Sequence, residues 1–271
     1  MAQARARPTP FGGGPNVVSL LELNNATIKF GGLVAVNDVS FAVSKGDLFG
    51  LIGPNGAGKT TCFNLITGVY KPTSGSIKFK GRELSGTPSN KVAQLGIART
   101  FQNIRLFKAL SVLENVVVAA FLRHRVGLAS AIADLPNSIR ETQELKDQAM
   151  ALLEVLHLDK VAHTRSCDLP YGMQRRLEIA RAMATQPELL LLDEPAAGMN
   201  PQESDDLLRV VRQIRDQFNM TVLLIEHDMR FVMNLCEKIV VLDHGCEIAQ
   251  GPPEAIRSNP KVIEAYLGEP V

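Results

Sequence analysis

The chain has 271 residues, 45% of them hydrophobic and 21% charged, the length and composition of a folded globular protein of one or two domains. Its formal net charge of +1 gives no overall electrostatic case for binding nucleic acid or a membrane surface. Apolar runs such as 189–192 and 239–242 fall far short of the roughly 20 residues that span a bilayer, so any service to a membrane is expected to go through a partner.

Residues 1–19 (MAQARARPTPFGGGPNVVS) are rich in Pro, Gly and Arg, lack the apolar stretch of a secretory signal, and are expected to form a flexible tail. From Leu20, LELNNATIKF alternates as a strand does, and GGLVAVNDVSFAV follows as a second strand after a Gly-Gly turn. Residues 48–53 read as a buried strand that runs into a glycine-rich loop. A helix is expected from near Lys59 to a stop near Gly68. KPTSGSIKFKGREL reads as turn, strand, turn. Between about 103 and 185 strand signals almost vanish. There NVVVAAFLRHRV and SIRETQELKDQAMALLEVLHL read as helices, the second with apolar residues at i, i+3 and i+4. Strand signals return at 188–193, 221–226 and 238–243, with helical stretches between them, and PPEAIRSNPKVIEAYLGE reads as two short helices parted by Asn259-Pro260. The whole is β/α alternation interrupted by a helical insert, an α/β fold. Cys62, Cys167, Cys236 and Cys246 have no CxxC or metal-ligand spacing and are expected to be reduced thiols of a cytosolic protein.

Gly53-Pro54-Asn55-Gly56-Ala57-Gly58-Lys59-Thr60 fits G-x-x-x-x-G-K-[ST], with a buried strand before it and a helix after it. Glycines let backbone N–H groups turn inward around phosphate oxygens, and the helix N-terminus adds partial positive charge. Lys59 is expected to reach the β- and γ-phosphates, the Thr60 hydroxyl to bind Mg²⁺, and Thr61 to donate a further hydrogen bond. The glycine spacing excludes a dinucleotide fold. Further on, an apolar strand ends in Asp193-Glu194. Carboxylates on a buried strand belong at its exposed carboxyl end, where open α/β sheets bind ligands. Asp193 is expected to hold Mg²⁺ and Glu194 to act as general base on an attacking water. The next strand ends at His227, which the same topology aims at the γ-phosphate.

In this order of motifs the chain resembles the ABC ATPase family over about 20–251. Phe101-Gln102 resembles the Q-loop, and Leu169-Pro170-Tyr171-Gly172-Met173 with QRRLEIARAMA the signature and its helix. LLLLDEP is similar to Walker B with the catalytic glutamate, AAGMNP (196–201) to the D-loop, and His227 to the switch histidine. Phe30 stands where the family places an aromatic that stacks on adenine. The resemblance implies a P-loop NTPase (RecA-like) core with an antiparallel β subdomain and an inserted helical subdomain. Residues 20–271 form one ATPase domain in that reading, with 20–102 and 186–250 as nucleotide-binding core, 103–185 as helical signature subdomain and 251–271 as C-terminal helical tail. It further implies a head-to-tail dimer that traps two ATP molecules, each between the phosphate loop of one chain and Tyr171, Gly172 and Met173 of the other. Gln102 couples Mg²⁺ and water to the helical insert, and 103–116 is the expected dock for a transmembrane subunit.

The sequence departs from the family's usual LSGGQ at LPYGM. Pro170 has neither hydroxyl nor N–H to offer a phosphate, which leaves the N–H groups of Tyr171, Gly172 and Met173. Asn200 stands where the D-loop often has Asp.

KFGGLVAVNDVSF, GIARTFQNIRLFKALSVLENVVVA, AAGMNP and the ending GPPEAIRSNPKVIEAYLGE are similar to the larger ATPase of branched-chain amino acid importers. That resemblance implies a peripheral subunit on the cytoplasmic face of a bacterial inner membrane. Its partners are a sister ATPase, two transmembrane permease subunits and, indirectly, a periplasmic substrate-binding protein. ATPases for urea or amides, for lipopolysaccharide export, and soluble ABC ATPases are the alternatives.

Overall fold

A computed structural model describes residues 19–121 and 136–267. The tail expected at 1–19, all but its last residue, and the end of the helix expected over 115–126 lie outside the described residues. The strands are β1 (Ser19–Phe30), β2 (Leu33–Ser44), β3 (Leu48–Ile52), β4 (Ser74–Phe79), β5 (Arg82–Glu83), β6 (Ile97–Arg99), β7 (Leu189–Asp193), β8 (Thr221–Ile225), β9 (Lys238–Asp243) and β10 (Cys246–Gly251). The helices are α1 (Lys59–Ile66), α2 (Ser89–Gln94), α3 (Val112–Phe121), α4 (Pro136–Val155), α5 (Tyr171–Ala184), α6 (Pro201–Phe218), α7 (Met229–Leu235), α8 (Pro253–Arg257) and α9 (Pro260–Leu267).

Two sheets divide the strands. One is antiparallel in the order β2-β1-β4-β5; the other runs β10-β9-β3-β8-β7-β6. In the second sheet β9, β3, β8, β7 and β6 are parallel, and β10 folds back on β9. That hairpin turns at His244 and Gly245, both at positive φ (44° and 80°), the twist a two-residue hairpin needs.

Alternation along the central strands assigns them to two cores. Leu189, Leu191, Leu223 and Ile225 face a core with Phe41, Phe49, Phe63 and Phe79, between the sheets. Leu190, Leu192, Val222 and Leu224 face the other, with Leu153, Leu177 and Val211 from the helices. A strand buried on both faces loses its polar positions, which is why LLLLD reads as an unbroken apolar run. Every such strand must therefore place its polar residues at its ends.

The helical stretch packs α3 against α4 and α5. Helix α3 starts earlier than its apolar run suggests because Ser111 and Glu114 form reciprocal caps: the Glu114 N–H donates to Ser111 Oγ, and the Ser111 N–H to Glu114 Oε2. Pro260 opens α9 rather than merely separating two helices. Among the described residues four of these elements were not expected: β5, read as turn, and β6, α2 and β10. Each is short or half-exposed, so no period of two or 3.6 residues can show in it. Among the described residues no helix is long and apolar enough to cross a membrane.

Candidate active site

Strand β3 is buried throughout and delivers the chain to Gly53. A Cβ at Gly53 would lie 2.1 Å from the Leu242 carbonyl oxygen, and one at Gly58 would lie 2.6 Å from that of Ala35. Both have positive φ (149° and 98°), so the loop can follow this path only with glycine there. Helix α1 then starts with Gly58 as its N-cap, no capping side chain and no acid in the first turn. Its first N–H groups therefore meet no anionic side chain of the helix's own. Lys59 is buried, and its Nζ donates to the carbonyls of Gly53 (2.6 Å) and Pro54 (2.8 Å). Burial lowers its pKa; Glu194 and then Asp193 oppose that through their charges. Asn55, Gly56 and Thr60 are exposed, Pro54 and Thr61 half-buried, and Ala57 buried.

Strand β7 brings Asp193 and Glu194 to the same edge. Asp193 is buried and paired with Arg99, Nη2 to Oδ2 at 2.7 Å. Arg99 Nη1 also donates to Asn64 Oδ1 at 2.7 Å. Glu194 has φ 46°, a left-handed conformation costly for a side chain with a Cβ, and its N–H is held by the Ile225 carbonyl at 2.9 Å. Its Oε2 accepts from Gln102 Nε2 at 2.9 Å. His227 Nδ1 lies 3.7 Å from that same oxygen and 3.7 Å from Glu226 Oε2. Glu226 is fully buried; its Oε1 accepts from the Ala196 N–H at 2.7 Å and its Oε2 from the His227 N–H at 3.1 Å. Burial pushes the Glu226 carboxyl above its ordinary pKa, against those hydrogen bonds.

Phe30 is 44% exposed and meets Tyr70 edge to face, with ring centroids 5.1 Å apart. Tyr171 is exposed at the first turn of α5, where Arg175 donates to its hydroxyl at 3.3 Å. A Cβ on Gly198 would lie 3.5 Å from the Tyr171 ring, and one on Gly172 3.1 Å from Glu203 Oε1. The signature thus lies against the 198–203 segment. Among the described residues no hydrogen bond ties it to 53–61. The Met173 N–H, expected to be free, donates to the Pro170 carbonyl at 3.0 Å, because that carbonyl accepts the bonds of the first turn. The Met173 side chain packs on the core. Asn200 caps α6: its side chain accepts from the Glu203 N–H and the Glu203 side chain from the Asn200 N–H.

Gln102, Lys59, Asp193, Glu194 and His227 therefore converge; among the described residues no hydrogen bond or ion pair joins Phe30 to them, and the signature meets them through Arg175, which donates to both the Gln102 carbonyl and the Tyr171 hydroxyl. Sequence reasoning missed Arg99, Asn64, Glu226 and Tyr70. Only Glu226 had a readable signal, as the last residue of an expected buried strand. The donor set fits a polyphosphate with a hard cation: uncapped N–H groups and an ammonium on one side, carboxylates and a hydroxyl on the other.

Comparison with known proteins agrees with this geometry. Residues 36–197 match the ABC transporter family, and 247–271 match the family described as branched-chain amino acid ATP-binding cassette transporter. The high-affinity branched-chain amino acid transport ATP-binding proteins LivG of Escherichia coli K12 and BraF of Pseudomonas aeruginosa are each 48% identical over 250 residues, covering 92% of this chain and 98% of each relative. The lipopolysaccharide export ATP-binding protein LptB of Acidithiobacillus ferridurans is 35% identical over 236 residues, 87% of this chain and 91% of that protein. The crystal structure of an ABC transporter's ATP-binding cassette in its ADP conformation superposes with a TM-score of 0.81 at 32% identity, covering 93% of this chain and 99% of the other. The loop, the acid pair and this likeness over nearly the full length of its relatives place the chain in the ABC transporter family, as an ATP-binding cassette with ATPase activity.

Proposed function

We propose that this chain hydrolyses ATP to drive import of branched-chain amino acids across a bacterial inner membrane, as a peripheral subunit on its cytoplasmic face. The observation that carries the catalytic part is the Glu194 carboxylate, held by Gln102 at 2.9 Å with His227 3.7 Å away, beside the phosphate loop. Glu194 acts as general base: the Gln102 amide and the fixed backbone aim one carboxylate oxygen, and His227 stands next to it to interact with the γ-phosphate. Lys59 exchanges the Gly53 and Pro54 carbonyls for phosphate oxygens when ATP binds. Loop N–H groups between Gly53 and Thr61 surround those oxygens, except at Pro54, which has none, and at Ala57, which donates to the Pro54 carbonyl at 3.2 Å, and Phe30 stacks on adenine. Thr60, Asp193 and Gln102 would hold Mg²⁺, which supplies charge neutralisation across the phosphates.

Tyr171, Gly172 and Met173 serve the nucleotide of a second ATPase in a head-to-tail dimer. With the Met173 N–H engaged, the signature offers the Tyr171 and Gly172 N–H groups and the α5 dipole. A cleft of about 270 Å³ between 102–108 and α5, lined by Gln102, Asn103, Leu106, Lys108, Cys167 and Tyr171, supports docking of the permease subunits there. The division into a core (20–102 and 186–250), a helical signature subdomain (103–185) and a tail (251–271) belongs to the same proposal. The cargo reading is supported by the 48% identity to LivG and BraF and by the match at 247–271.

The test is Glu194→Gln in the cell's own copy. ATPase activity of the purified variant should fall by about 10²- to 10⁴-fold with ATP binding retained, the usual contribution of a general base. Uptake of radiolabelled leucine should collapse while an unrelated transporter is unaffected. Normal leucine uptake with ATPase activity lost would overturn the cargo and leave the motor.

A further inference from the structure

We propose that Arg175 and Glu178 are positioning residues that clamp the backbone of the Gln102 loop onto α5, so that the nucleotide held at 53–61 is felt at the same chain's signature. The proposal rests on the ATP-binding reading above and adds the residues that carry the signal.

Arg175 is completely buried and Glu178 is 5% exposed. They stand at i and i+3 on α5 and pair at 2.9 Å. Such a pair gains little by facing the interior, where both charges lose water. Here both face residues 101–105, which belong to no helix or strand. Arg175 Nη1 donates to the Phe101 carbonyl at 2.6 Å and Nη2 to the Gln102 carbonyl at 2.8 Å. Glu178 Oε1 accepts from the Phe101 and Arg105 N–H groups, each at 3.4 Å. Four backbone groups of an irregular segment are thus satisfied by two side chains of one helix, where a sheet or helix ladder would ordinarily serve.

The geometry makes a continuous path. Gln102 holds Glu194 through its side chain and α5 through its carbonyl. Arg175 then reaches the Tyr171 hydroxyl, one turn earlier on α5. The guanidinium fork fixes two carbonyls at once, which a point charge or an apolar side chain cannot do. An apolar pair of similar volume would keep the helix and loop in contact and avoid desolvating two charges, but it would leave those four backbone groups without their partners, at a cost in stability. What the ion pair adds is a fixed direction between Gln102 and Tyr171. Gly198 and Glu203 also lie beside Tyr171 and Gly172, a second route from the acid pair to the signature.

The experiment uses the full-length chain carrying Glu194→Gln to stop hydrolysis, kept monomeric as checked by light scattering, with and without the double change Arg175→Met and Glu178→Leu. ATP binding with Mg²⁺ is measured by titration, and amide hydrogen exchange is followed at 169–177. With the clamp intact, ATP should change exchange at 169–177. With the clamp replaced, the chain should stay folded with a lowered thermal midpoint, ATP should still bind, and the change at 169–177 should be lost. An undiminished change in the double variant overturns the clamp and assigns the signal to the 198–203 contact. ATP binding with no change at 169–177 in the clamp-intact chain overturns it too, whereas no ATP binding at all sinks the nucleotide reading itself. Should the double variant fail to fold, Arg175→Lys keeps the buried charge without the fork. A reduced change at 169–177 then supports the clamp, and a full one overturns it.

Discussion

The phosphate loop and the signature are both helix N-termini, yet they are built in opposite ways. At the loop the constraint lies in the backbone: Gly53 and Gly58 hold conformations and approaches that no Cβ permits. At the signature it lies in side chains behind the helix, Arg175 and Glu178, which fix the neighbouring loop. A backbone constraint restricts the amino acids at the motif itself. A constraint supplied from behind leaves the front residues free to vary, and LPYGM is such a variation.

Alanine at the two glycines breaks the comparison most directly. Gly53→Ala puts a methyl group 2.1 Å from the Leu242 carbonyl at φ 149°. It should cost about 3 kcal/mol or more and abolish ATP binding, since neither the carbonyl nor the φ can yield. Gly172→Ala meets the Glu203 side chain, Oε1 at 3.1 Å, Cδ at 3.3 Å and Cγ at 3.5 Å, in helical backbone and with no backbone atom of another segment nearer. Better helix propensity offsets that crowding, so stability should change by about 1 kcal/mol or less. Urea unfolding and an ATP titration of both variants read the contrast. Equal losses at the two sites would mean that the signature is backbone-limited as well.

The same contrast decides what could be read from the sequence. The glycine loop, the acid pair at the end of an apolar strand and His227 one strand further on were legible because period and topology fix them. The residues that hold them were not. Arg99 reaches Asp193 from β6, a strand of three residues, and its pairing beside β7 exists only once the sheet is formed. Arg175 and Glu178 look in sequence like an ordinary helical salt pair. Their burial depends on a segment 73 residues away, at Gln102. Asn200, a departure from the D-loop pattern, is explained by the fold: it is the cap of α6.

That cap gives a smaller and sharper test. Asn200→Ala should cost about 1 kcal/mol, while Asn200→Asp, which keeps an acceptor for the Glu203 N–H, should cost less. If both cost the same, the capping geometry is not what Asn200 contributes. Urea midpoints at one pH suffice, because no buried charge is involved.

The other end of the 196–200 segment is held by a group that does titrate. Glu226 accepts from the Ala196 N–H in full burial, and burial raises its pKa above the ordinary 4.5. A carboxyl whose folded pKa is raised binds its proton more tightly in the native state. Its unfavourable contribution is therefore complete above the folded pKa, shrinks as pH falls through that value, and stops changing below about 4.5. The melting temperature of the wild type relative to Glu226→Gln should thus rise as pH is lowered from about 8 to about 5. The difference between wild type and Asn200→Ala should stay flat over the same range. A flat line for Glu226→Gln as well would mean that its three backbone donors, Ala196, His227 and Asp228, offset the burial. The anchor at Ala196 would then be as indifferent to pH as the cap at Asn200.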